Sequence, residues 1–148
     1  MYLNGVYLSE PLKPFALLFL SLQDEWEPIR TRVDLVAVRG DISFLVEIKT
    51  SSTPTLHFST MAGKLQQQAI TMLNLCEKTT TLPVYAFRLK RHRGDSWRIF
   101  TMEHNTLQGR LRILHQRLPQ LDKSASGNFI MRWDQGMQLS DFLEYLCK

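Results

Sequence analysis

The 148-residue sequence is poor in the features that announce the commonest enzyme chemistries. Its two cysteines, Cys76 and Cys147, are too few for a disulfide framework and lie at no metal-ligand spacing. The four histidines, His57, His92, His104 and His115, form no zinc pattern, and Glu103-His104 lacks the second histidine of a metalloprotease helix. No glycine-rich loop cradles a triphosphate, and no serine-nucleophile motif occurs. The longest apolar stretch, Phe15 to Leu22, is far too short to cross a bilayer. It also makes a poor signal peptide: Glu10 precedes it, Lys13 is the sole cation ahead of it, and Gln23-Asp24-Glu25 follows where small residues would be cleaved. The stretch reads as a first core helix, and the expectation is an intracellular protein with no membrane segment. Repeats and low-complexity runs are absent. With 44% hydrophobic residues, the chain can bury one core.

What is present is a charged anomaly in residues 33–50, Val-Asp-Leu-Val-Ala-Val-Arg-Gly-Asp-Ile-Ser-Phe-Leu-Val-Glu-Ile-Lys-Thr. Apolar, β-branched runs on either side of Arg39-Gly40-Asp41 predict a β-hairpin. Asp34, Glu47 and Lys49 interrupt those runs, and charges inside strands are costly unless something holds them. Side chains alternate faces along a strand, and cross-strand partners share a face. With Gly40-Asp41 as the loop, Asp34 falls opposite Glu47. With Arg39-Gly40 as the loop, Asp34 falls opposite Leu45, two residues from Glu47 on the same face. Either register gathers the three charges on one face. The other face then carries Val33, Leu35, Ala37, Ile42, Phe44, Val46 and Ile48.

Two carboxylates on one face offer hard oxygen ligands to Mg²⁺ or Mn²⁺. A lysine two residues from a ligand can orient water or balance charge developing on a phosphoryl group. The bland reading is an ion pair at a strand end, and Glu-x-Lys alone carries little weight. Strand context and the upstream aspartate favour the chemical one.

Further elements follow in order. Residues 61–78 predict an amphipathic helix with Leu65, Ala69, Met72, Leu73 and Cys76 as its core stripe. Pro83 to Leu89 and Trp97 to Phe100 predict two strands joined by a basic turn. Asp34, then Glu47-Ile48-Lys49 thirteen positions on, with this helix and these strands behind it, resembles the PD-(D/E)XK nuclease superfamily. In layout the chain is similar to the archaeal Holliday-junction resolvases over about residues 10–102. Val33 stands where the family name implies proline.

That resemblance implies an α/β fold with a restriction-endonuclease-like αβββαβ core, its mixed central sheet flanked by helices. Residues 1–102 would form the core, and 103–148 a mainly helical C-terminal extension packed on the core or on a partner. It implies a Mg²⁺- or Mn²⁺-dependent endonuclease acting on DNA, with Asp34, Glu47 and Lys49 catalytic. Asp34, Glu47 and the Ile48 backbone carbonyl would hold the metal, joined by a first-helix carboxylate for which Glu10, Glu25 and Glu27 are candidates, Glu10 foremost. Gln66 or Gln68 would border the site. A homodimer making paired cuts is expected.

Charge supports a phosphate partner. Residues 88–117 carry eight cations against Asp95 and Glu103, so this stretch is +6 while the remainder is −2. Arg88, Lys90, Arg91, Arg93, Arg98, Arg110 and Arg112 are the candidate nucleic-acid contacts, since guanidinium forks match phosphate oxygens. Composition does not separate DNA from RNA. Beyond Met102, Leu107, Leu111, Leu114 and Leu118 predict a helix ended by Pro119. Residues 122–128 predict a loop, Phe129–Trp133 a strand, and Ser140 the cap of a closing helix. The competing function is a non-catalytic nucleic-acid-binding or scaffold protein that retains the fold.

Overall fold

The structure is a computed structural model that describes residues 33–148, together with two short paired strands ahead of them, β1 (Tyr2–Leu3) and β2 (Val6–Tyr7). The expected first helix around Phe15–Leu22, and Glu10, Glu25 and Glu27, lie outside the described residues. From residue 33 the chain forms β3 (Leu35–Arg39), β4 (Ile42–Ser51), β5 (Thr55–His57), α1 (Lys64–Thr79), β6 (Leu82–Leu89) and β7 (Trp97–Thr101). Then come α2 (Gly109–Arg117), β8 (Asp122–Lys123), β9 (Phe129–Arg132), β10 (Met137–Gln138) and α3 (Leu139–Cys147).

A five-stranded mixed sheet runs in the order β10-β7-β6-β4-β3. Among the described strands of this sheet only β4 and β6 are parallel, and α1 lies on the crossover between them. Its other pairs are antiparallel. A smaller antiparallel sheet, β5-β9-β8, pairs Thr55–His57 with the segment after Leu121.

The β3–β4 hairpin takes the first of the two registers: Arg39 pairs with Ile42, leaving Gly40-Asp41 as the loop. Gly40 has a φ of 56°, the conformation that favours glycine at the first position of a two-residue hairpin turn. Period-two alternation then sorts β4 between two cores. Ile42, Phe44 and Val46 join Ala37, Val84, Ala86 and Ile99 under Leu111 and Leu114 of α2 and Phe142 and Leu146 of α3. Leu45 joins Tyr85, Phe87, Phe58 and Phe129 under Ala69, Met72 and Cys76 of α1. Val33, which the hairpin pattern puts with Leu35, packs on the α1 side: the Asp34 N–H bonds to the carbonyl of Val46, the partner of Leu35, so the alternation breaks ahead of β3.

The helical stripe read in residues 61–78 begins three residues later than the pattern suggests. Met61, Ala62 and Gly63 all have positive φ and form a 3-10 turn, so α1 starts at Lys64. Residues after 102 are woven into both sheets: β10 extends the main one beyond β7, and β9 sits between β5 and β8. Ser140 is not the cap of the closing helix. Gln138 occupies that position, held by its pairing with Arg98, so β10 runs directly into α3 and Ser140 lies within its first turn. Burial pushes the Cys76 thiol up to about 11, which suits a packing role. Among the described residues no helix is long and apolar enough to cross a membrane.

Candidate active site

The hairpin register ends at Leu35 opposite Val46, and Asp34, the residue before it, stays on the same stretch of β4. Asp34 is tied down twice. Its backbone N–H donates to the Val46 carbonyl at 3.1 Å, and its Oδ2 accepts the Ile48 N–H at 2.7 Å. Asp34 itself is exposed, so the carboxylate sits at the rim and not inside the core.

Glu47 is the buried member, 3% exposed. Its Oε1 accepts from Lys49 Nζ at 2.6 Å and from Gln68 Nε2 at 2.8 Å. Gln68 Oε1 in turn accepts from Lys49 Nζ at 3.0 Å, closing a three-membered ring of contacts between β4 and α1. Burial holds the Glu47 carboxyl above its ordinary range; hydrogen bonds and charge from Lys49 work the other way, and the Asp34 charge adds to the rise. Glu47 Oε2 is buried with no hydrogen-bond partner among the described residues. A buried carboxylate oxygen with nothing to accept is costly. Oε2 could therefore ligate a cation, with the Asp34 carboxylate near enough for its charge to act on Glu47. Among the described residues no cluster of three acidic, histidine or cysteine side chains converges, so any third carboxylate must come from outside them.

The sequence left the helix phase open between Gln66 and Gln68. Gln68 enters the site; Gln66 turns away, its Oε1 accepting the Phe129 N–H at 2.8 Å and anchoring α1 to β9. Tyr85, which carried no signal in the sequence beyond its place in a strand, pairs with Glu47 across the parallel strands. Its ring is fully buried and meets Phe58 edge-on at 5.5 Å. Burial pushes its hydroxyl ionisation up, with Glu47, Cys76 and Asp34 adding to the effect.

The candidate nucleic-acid contacts divide by place. Parallel pairing continues to Ser51 and Leu89, and the Lys90 N–H donates to the Ser51 carbonyl at 2.8 Å. The exposed Lys90, Arg91 and Arg93 therefore extend from the end of β4 where Lys49 lies. Arg88 is exposed on the opposite face, 5.9 Å from the Trp97 ring. Arg98 is engaged within the protein: its guanidinium lies 3.8 Å from the Trp133 ring centre, beyond β9, and donates to the Asp95 and Trp97 carbonyls of its own hairpin. Arg110 pairs with Asp41 at 3.1 Å, at the far end of β4, and Arg112 is exposed on the same helix. The structure does not bring these two to the Glu47 cluster, because α2 packs on the other face of the sheet.

No protein-family model matches the chain, and no curated protein matches it in sequence. Among solved structures it is similar to Archaeoglobus fulgidus Hjc, described as a Holliday junction resolvase from an archaeal hyperthermophile. The two share 16% identity with a TM-score of 0.55, over 88% of this chain and 87% of that one. At that identity the likeness shows the fold: a mixed α/β, restriction-endonuclease-like core with helices on both sides of its sheet.

Proposed function

We propose that this protein is a divalent-metal-dependent nuclease that hydrolyses phosphodiester bonds in DNA, with branched junctions as its substrate class. The observation that carries the reading is the cluster of Asp34, Glu47, Lys49 and Gln68, built on the α1 face of a resolvase-like sheet. Asp34 and Glu47 would hold Mg²⁺ or Mn²⁺, with the Ile48 carbonyl and a carboxylate such as Glu10 as further oxygens. A bound cation lowers the pKa of water and offsets negative charge on the phosphoryl oxygens. Lys49, fixed between Glu47 and Gln68, orients the attacking water or donates to a non-bridging phosphate oxygen. Gln68 holds both partners in place. Lys90, Arg91 and Arg93 neutralise the nucleic-acid backbone beside the site and give affinity without sequence preference. A homodimer would place two such sites for paired cuts, a state that analytical ultracentrifugation reads directly.

The test uses the full chain with four-way-junction, nicked, single-stranded and linear DNA in Mg²⁺ or Mn²⁺. Wild type is expected to cleave junctions, and Lys49→Ala to lose about 10²- to 10³-fold in rate, as when one preorganised transition-state donor is removed. Asp34→Ala is expected to be inactive while still binding DNA. Binding without cleavage under every condition would favour a scaffold that retains the fold. Cleavage surviving in both variants would place the chemistry elsewhere.

A further inference from the structure

Three buried side-chain polar atoms have no hydrogen-bond partner among the described residues: Glu47 Oε2, the Tyr85 hydroxyl and His104 Nε2. The third lies in the loop after β7. The first two belong to directly paired residues of β4 and β6. Paired residues of neighbouring strands project to the same side of a sheet, and both side chains lie on the α1 face. Tyr85 is fully buried, and a phenol there could be a phenylalanine at no loss of packing. An unpaired buried hydroxyl costs about 1–3 kcal/mol, so its retention beside a carboxylate oxygen that lacks a donor needs a reason. Glu47 Oε1 already takes two donors, from Lys49 and Gln68. Oε2 takes none, and the hydroxyl is an unspent donor on the residue paired with Glu47 in register.

We propose that Tyr85 is a positioning residue of the candidate metal site, its hydroxyl donating through one shared water to Glu47 Oε2. The proposal rests on the nuclease reading above, because a fixed Oε2 matters only where Glu47 ligates a cation. With both oxygens held, the carboxylate presents one remaining lone pair outward in a set direction. Without Tyr85, the group can turn about its terminal torsion, which is broad for a glutamate. Hydrogen-bond partners of metal ligands set affinity in this way, and losing one costs about 10- to 100-fold in binding. A bridging water is reasonable because it would meet at least two polar groups in a buried place.

Tyr85→Phe separates this role from simple packing. Its melting temperature without metal should stay close to that of wild type, because the buried ring and its contact with Phe58 are kept. Its Mn²⁺ affinity, read by electron paramagnetic resonance of the free ion, should fall about 10- to 100-fold. Equal Mn²⁺ affinity in the two proteins overturns the role of Tyr85 and leaves the metal site standing. Wild type that binds no Mn²⁺ overturns the site reading and this inference with it. Phe58→Leu, which disturbs the ring packed against Tyr85, is the control. If Tyr85→Phe lowers both melting temperature and affinity, and Phe58→Leu reproduces the pair of losses, the effect is packing and the proposal fails. Loss of affinity in Tyr85→Phe alone supports it.

Discussion

The two faces of the central sheet are built from the same strands and differ in what they ask of them. Toward α2 and α3, β4 and β6 present Ile42, Phe44, Val46, Val84 and Ala86, an apolar layer that gives way to the exposed Arg88 only near the end of β6. Toward α1 they present Leu45, Tyr85 and Phe87, but also Glu47 and Lys49. Both faces are covered by helices, so burial alone does not separate them. Position along the strand does. The charges come near the carboxyl end of β4, beside its one parallel neighbour, and open α/β sheets gather ligands beyond strand carboxyl ends. One face stabilises; the other carries a cost in desolvated charge, a cost that the proposed metal site would account for.

The largest effect that tests this division is on the apolar side. Phe44 is buried and meets the Phe142 ring at 5.8 Å, nearly perpendicular. Phe44→Ala is expected to destabilise the fold by about 3–5 kcal/mol, read by chemical denaturation, since it opens a cavity between sheet and α3. A loss under about 1 kcal/mol would mean that this face is not where the stability lies. Lys49→Ala should lose rate as well as some stability, because the buried Glu47 keeps its charge without its cation.

A smaller effect probes how the tail joins the sheet. Gly136 leads into β10, and a Cβ there would lie 2.5 Å from the Arg98 Cβ and 2.6 Å from the Phe100 ring. Those are contacts that no side chain makes without displacing its neighbours. Gly136→Ala should cost about 1–3 kcal/mol as overpacking. If thermal melts show no change, β10 is not firmly seated on β7, and the apolar face ends earlier than its strand order implies.

The division between faces was legible early because it is local. Parity along the hairpin needed only a loop length, and both simple loops gave one charged face; Gly40 then took the positive φ that set the observed register. The α1 stripe was legible for the same reason. What the sequence could not carry were contacts between distant segments. Gln68 against Gln66 depends on how α1 is rotated over the sheet, which Phe129, far along the chain, helps to fix. Tyr85 meets Glu47 through parallel pairing across an intervening helix, a register that no short-range pattern encodes. Arg98 looked like a phosphate ligand by charge, yet Trp133 and Asp95 engage it. Thr55–His57 showed no strand signal, and it becomes one because β9 lies beside it.

The smallest effect is one of sign, and it bears on the charged face alone. Burial raises the Glu47 carboxyl above its ordinary value of 4.5 despite the bonds from Lys49 and Gln68. The folded protein therefore binds that proton more tightly than the unfolded chain does. By linkage, the contribution of Glu47 to stability is fully present below the ordinary value and is lost as pH rises through the raised one. Glu47→Gln keeps the shape and removes the ionisation. In metal-free buffer the variant should melt above wild type at neutral pH, and the difference should shrink to nothing in acid. Adding Mn²⁺ should reverse the order at neutral pH, because a ligand that binds only the folded state raises the melting temperature of the protein that keeps Glu47. A variant less stable than wild type at neutral pH without metal would mean that Lys49 more than offsets the burial, and that the charged face is held together by its ion pair.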